Sequence, residues 1–140
     1  MNAKQDLSIP VRVVLADDDV TILQELEEFL TPDFDVVGKT TDGTGLIEAA
    51  ARLKPDLIIT DLSMPGASGI EASQRVLQGC PETAIVVLTM YNDTKIAQQA
   101  VKVGIRAYIH KVTAGEELLE AIHSALAGET FISPSCRKPN

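Results

Sequence analysis

Aromatic side chains make up only 4% of this 140-residue chain, so its 45% hydrophobic content must come mainly from Val, Ile, Leu and Ala. That composition suits a sheet covered by helices. Cysteine is scarce too. Cys80 and Cys136 have no metal-ligand spacing and cannot make a disulfide framework, which leaves them as reduced bystanders. Clusters of Lys and Arg are missing, and the formal net charge is −8, so this chain is not expected to grip nucleic acid itself. No apolar run approaches the length of about 18 residues that spans a bilayer, and the first residues lack a secretory core. The expectation is a cytoplasmic protein with no membrane partner. Internal repeats and low-complexity segments are absent as well.

What is present centres on the stretch 56–69. Leu57, Ile58, Ile59 and Thr60 form strand-favouring residues that run straight into Asp61, after which Pro65, Gly66 and Gly69 end any strand. A carboxylate is thus placed at the carboxyl end of a buried strand. In an open parallel α/β sheet that edge is where ligands and chemistry gather.

The chain around it alternates. A short apolar run at 11–15 ends in Asp17, Asp18 and Asp19, and Leu23, Leu26 and Leu30 then recur at helical spacing. Residues 34–39 read as a partly polar edge strand, followed by a helix carrying Leu46, Ala50 and Leu53. After the strand that delivers Asp61, Ser68 and Glu71 have capping-box spacing for a helix from Gly69 to Gly79. Residues 84–88 are apolar throughout, as in a central parallel strand, and end at Thr89. Asp93 reads as the N-cap of a helix with Ile96, Ala100 and Val103 as its buried stripe. Residues 107–110 form the last strand, ending in Lys111, and Thr113 with Glu116 predicts a second capping box before a helix that reaches Gly128. Five alternations imply an α/β fold, a doubly wound parallel sheet with five helices on both faces. Residues 1–8 read as a flexible tail, 9–128 as one domain, and 129–140 as a tail or the start of a linker.

The strand ends collect Asp17, Asp18, Asp61, Thr89 and Lys111. If the first, third, fourth and fifth strands lie side by side, these residues meet in one pocket. Crowded carboxylates raise one another's pKa unless a cation sits among them. Hard oxygens without His or Cys suit Mg²⁺ rather than zinc. A carboxylate can then act as nucleophile toward phosphorus, with Lys111 and Thr89 stabilising the phosphoryl oxygens. Each residue has an ordinary reading beside this one. Asp17 and Asp18 could be helix-start charges, Asp61 a turn former, Thr89 a strand end and Lys111 a surface lysine; Asp19 reads as a helix cap. Alternation turns His110 away from Lys111, so it reads as structural, and His123 as packing or surface.

Four motifs in order, Val-Leu-Ala-Asp17-Asp18-Asp19, Ile-Ile-Thr-Asp61-Leu-Ser-Met-Pro-Gly, Val-Leu-Thr89 and Ala-Tyr108-Ile-His-Lys111, resemble the receiver domain of bacterial two-component response regulators. The resemblance covers residues 9 to 128. It implies a flavodoxin-like five-stranded sheet of order 2-1-3-4-5, in which Asp61 accepts a phosphoryl group from a sensor histidine kinase. It also implies that Asp18, Asp61 and the backbone carbonyl of Ser63 hold Mg²⁺ with Asp17 assisting, that Thr89 and Tyr108 act together as a switch, and that Lys111 contacts the phosphoryl group. Three positions depart from the commonest pattern: Val112 stands where many receivers have Pro, His110 is more polar than usual, and Met90 replaces Ala or Gly. The run after Thr89 and the missing proline resemble the LuxR/NarL-type branch, whose linker the segment 131–134 is similar to.

The function this implies is a phosphorylation-dependent switch that controls an output, with possible homodimer formation. Transcription through a DNA-binding domain absent from this chain is favoured over a stand-alone single-domain receiver working by protein contacts. An aspartyl-phosphate phosphatase would use the same Asp61 and Mg²⁺, but the expected second carboxylate two residues on is Ser63. A flavodoxin-like cofactor binder would need a phosphate-cradling loop after the first strand, where three Asp residues stand instead.

Overall fold

A computed structural model describes residues 9–137. The flexible tail expected at 1–8 lies outside the described residues. Strands β1 (Arg12–Ala16), β2 (Asp35–Thr40), β3 (Leu57–Asp61), β4 (Ala84–Thr89) and β5 (Ala107–His110) alternate with helices α1 (Val20–Leu30), α2 (Gly43–Leu53), α3 (Gly69–Gly79), α4 (Thr94–Val103) and α5 (Ala114–Leu126). A short β6 (Phe131–Ile132) follows α5. All paired strands are parallel, in the order β2-β1-β3-β4-β5-β6. The sheet therefore has six strands rather than five.

Strand alternation sorts the core into two layers. Val13, Leu15, Ile59, Leu88 and Ile109 face α1 and α5, which contribute Leu23, Leu26, Leu30, Leu118 and Ile122. Their sequence neighbours Val14, Ile58, Val87 and Tyr108 face the other way, against Leu46, Ala72, Val76, Ala97 and Ala100 of α2, α3 and α4. Because β3 and β4 are buried along their whole length, their sequences show no polar alternation. β2, at the edge, is only half-buried.

Local signals are largely realised. Asp19 caps α1 by accepting from the Thr21 N–H, and Asp93 caps α4 through Lys95 and Ile96. The Ser68 hydroxyl accepts from the Glu71 N–H at 3.1 Å while the Glu71 carboxylate accepts from the Ser68 N–H, a reciprocal capping box. The second expected box does not form. Lys111–Thr113 coil into a 3-10 turn ahead of α5, and the Thr113 hydroxyl donates to the His110 carbonyl at 3.3 Å instead. On α4 the fully buried residues are Ala97 and Ala100, with Ile96 and Val103 half-buried, because small side chains let the helix lie close to the sheet.

The segment read as a tail or linker start supplies β6. Phe131 and Ile132 pair with Ala107 and Tyr108, and Ser133 donates its N–H to the Tyr108 carbonyl at 2.9 Å. Two residues carry too little periodicity to be recognised as a strand, but the unpaired edge of β5 gives them a template.

Candidate functional site

β1 and β3 end side by side, since Ala16 pairs with Thr60, so Asp17 and Asp61 emerge together at the carboxyl edge. Asp17 is 1% exposed and Asp61 9%, whereas Asp18 faces solvent. Carboxylate oxygens of the three lie within 4.8 Å of one another. The loop after Asp61 turns sharply back. Gly69 approaches so closely that a Cβ there would stand 2.3 Å from the Asp61 carbonyl oxygen, which explains why only glycine opens α3.

Lys111 completes the cluster from the end of β5. Its Nζ lies 2.9 Å from Asp17 Oδ2 and 3.4 Å from Asp61 Oδ2. Asp61 Oδ1 accepts from the Leu62 N–H at 2.8 Å, and Asp17 Oδ1 from the Asp19 N–H at 2.9 Å. Burial, together with the charge of Asp17, raises the Asp61 pKa above the usual carboxylate value, against the pull of Lys111 and the Leu62 N–H. Burial works against the Lys111 ammonium, but the hydrogen bond to Asp17 and the charges of both carboxylates outweigh it and hold its pKa up. The lysine is thus a fixed cation between two acids. The three-carboxylate set, with one member open to water and no His or Cys, fits a hard divalent cation such as Mg²⁺.

Thr89 ends β4, next to β3, and is fully buried; its Oγ1 accepts from the Tyr91 N–H at 2.9 Å. Tyr108, on β5, is fully buried as well, and its hydroxyl donates to the Tyr91 carbonyl at 2.9 Å. Burial pushes its pKa up to about 12, helped by the neighbouring Cys136 thiol, while the Thr89 hydroxyl pulls the other way. Thr89 and Tyr108 therefore converge on one residue, Tyr91. The Tyr108 ring lies wholly in the interior. Ser63 is exposed in the loop after β3, and Met90, Tyr91 and Val112 are exposed around the site. Peptide bonds among the described residues are all trans, including the one after Lys111.

His110 does face away from Lys111, as alternation requires. Its ring is nonetheless engaged, with Nε2 3.2 Å from the Met90 carbonyl. Alternation identifies a face and not a partner, so nothing local in the sequence signals this contact. Beside Lys111 an apolar groove of about 500 Å³ runs between α1 and α5, lined by Ile22, Phe29, Met90, Val112 and Leu118 among others.

Known proteins share both the pattern and the fold. The family described as the response regulator receiver domain matches residues 13–123. An uncharacterized transcriptional regulatory protein, YxjL, of Bacillus subtilis is 36% identical over 123 residues, covering 86% of this chain and 56% of that protein. The crystal structure of a LuxR-family two-component response regulator from Aurantimonas superposes with a TM-score of 0.85 at 28% identity, covering 91% of this chain and 93% of the other. The isolated receiver domain of RcsB from Salmonella enterica serovar Typhimurium, determined with the phosphomimetic BeF3⁻, gives 0.82 at 30% identity, covering 91% and 96%. The chain spans a little over half the length of the curated relatives it matches. Sequence pattern and backbone agree over nearly the same residues, and this chain belongs to the response regulator receiver domain family, in its LuxR/NarL-type branch.

Proposed function

We propose that Asp61 is the phosphoryl acceptor of this receiver domain, taking the group from a sensor histidine kinase, and that the resulting change at Thr89 is passed to an output. The observation that carries the reading is the placement of Lys111 between Asp17 and Asp61, a cation beside the carboxylate that would bear the phosphoryl group. Asp61 Oδ2 attacks phosphorus as the bond from phosphorus to the donor breaks. Lys111 shifts its ammonium toward the new oxygens, and the Thr89 hydroxyl donates to one of them. Asp17, Asp18, Asp61 and the Ser63 carbonyl would hold Mg²⁺, which supplies charge neutralisation at the same oxygens. The domain thus works on itself and has no external substrate to turn over.

The apolar groove beside Lys111 offers a seat for the kinase surface that presents the phosphohistidine. Transcription is the output we favour, because a matched relative is named a transcriptional regulatory protein and extends well beyond the matched part. Dimer formation on phosphorylation and a cytoplasmic location belong to the same reading; among the described residues no helix is long and apolar enough to cross a membrane.

Intact mass after incubation with Mg²⁺ and a small phosphodonor tests the central claim. A single adduct, lost in EDTA and in Asp61→Asn, is expected; an adduct that survives Asp61→Asn would remove the assignment.

A further inference from the structure

Residues 131–137 are held by more than strand pairing. Ser133 is fully buried, and its hydroxyl accepts from the His110 N–H at 2.9 Å while donating to the Glu117 carboxylate on α5. Cys136 is fully buried in the layer that contains Tyr108. Arg137 donates from Nε to the Ile132 carbonyl at 2.8 Å and lies over the Phe131 ring, and its own carbonyl accepts from the Thr94 hydroxyl at the start of α4. The segment therefore crosses from α5 over the edge of β5 to α4, as a strap.

One side chain joins this strap to the loop after Thr89. The Met90 carbonyl can only accept, so His110 Nε2 donates to it, and Nδ1 lies 3.5 Å from the Ser135 hydroxyl. His110 thus bridges Met90 and Ser135. On the other side of Met90, Thr89 Oγ1 holds the Tyr91 N–H, and Tyr108, which shares its buried layer with Cys136, holds the Tyr91 carbonyl. The path from Thr89 to the strap runs through two contacts, at 3.2 and 3.5 Å.

We propose that the strap is a phosphorylation-controlled latch, with His110 as the positioning residue that couples the loop 90–91 to residues 131–137. This rests on Asp61 being the phosphoryl acceptor. When the Thr89 hydroxyl turns to a phosphoryl group on Asp61 it releases its hold on Tyr91, and the loop follows. The His110–Met90 contact is already 3.2 Å long, so a shift of about 0.5 Å takes it beyond hydrogen-bond range. The ring then loses its fixed orientation and Ser135 its contact with Nδ1. The strap then opens more often at the edge of β5.

Cys136 reports this directly, because a fully buried thiol reacts only when the strap lifts. In a Cys80→Ser background, labelling of Cys136 by a thiol reagent is expected to accelerate about fivefold with Mg²⁺ and beryllium fluoride, the effect of losing one ordinary hydrogen bond. His110→Ala should label quickly under both conditions with no response to beryllium fluoride. Ser135→Ala, at an exposed position that does not threaten folding, should raise the basal rate and blunt the response. Intact mass with a phosphodonor is measured in parallel. A phosphoryl adduct on Asp61 with unchanged Cys136 labelling, or a full response in His110→Ala, would overturn the latch alone. Failure of Asp61 to be modified would remove the acceptor reading, and the latch with it.

Discussion

Replacing Lys111 with Met removes the cation that stands between Asp17 and Asp61 and keeps most of the side-chain length. At 2.9 and 3.4 Å, with an effective dielectric constant of about 20, the two lost attractions have gross values of about 6 and 5 kcal/mol. Most of this was offset in the native protein by desolvating the ammonium, which is 15% exposed. What the substitution leaves is a pair of buried carboxylates with no counter-ion. Asp61 has an escape, since its pKa is already raised and it can take up a proton. Breaking a buried pair costs about 3 to 5 kcal/mol, and that escape puts the expected loss at the lower end, about 3 kcal/mol. Urea denaturation in EDTA measures it. Because Asp61 has a raised folded-state pKa, its contribution is fully present below its unfolded-state pKa and is lost as pH rises through the folded value. The Lys111→Met defect should therefore shrink on acidification. Mg²⁺ should also restore more than half of the loss, by replacing the missing positive charge, and adding Asp61→Asn should relieve part of it. A defect below about 1 kcal/mol would refute the electrostatic reasoning, since an exposed ion pair would cost no more. So would a defect that Mg²⁺ leaves unchanged.

Tyr108 yields an alkaline signature. Its pKa is raised from 10.0 to about 12, so the unfolded state loses its proton first and stability should fall by about 2 to 3 kcal/mol between those values, an increment absent in Tyr108→Phe when denaturation is followed against pH. Gly69→Ala would set a Cβ 2.3 Å from the Asp61 carbonyl oxygen, a backbone atom that cannot swing aside, and should cost about 3 kcal/mol or more by urea denaturation and lower the yield of the phosphoryl adduct. The adduct lost in Asp61→Asn and the labelling of Cys136 complete the set.

Local chemistry in the sequence determined much of this protein. The alternation of strand and helix followed from apolar periodicity and from turn residues, because both act within a few positions along the chain. Asp19, Ser68 with Glu71, and Asp93 were legible as caps for the same reason. Asp61 was legible as a site candidate too, because a buried strand delivers it to the carboxyl edge of the sheet before Pro65 and Gly66 end the run. Tertiary structure decided what depends on distant partners. Lys111 lies 94 positions from Asp17, and only the sheet order brings its ammonium to 2.9 Å from that carboxylate. Thr113 has the spacing of a cap, yet the 3-10 turn after β5 diverts its hydroxyl to His110. Tyr108 could be assigned to a face, but its fully buried position depends on α4 and Cys136 closing over it. β6 is two residues long and exists because β5 leaves an edge to pair with. His110 shows the division most clearly: alternation alone turned it away from the lysine, while the Met90 carbonyl and Ser135 that engage its ring come from loops that only the folded sheet brings together.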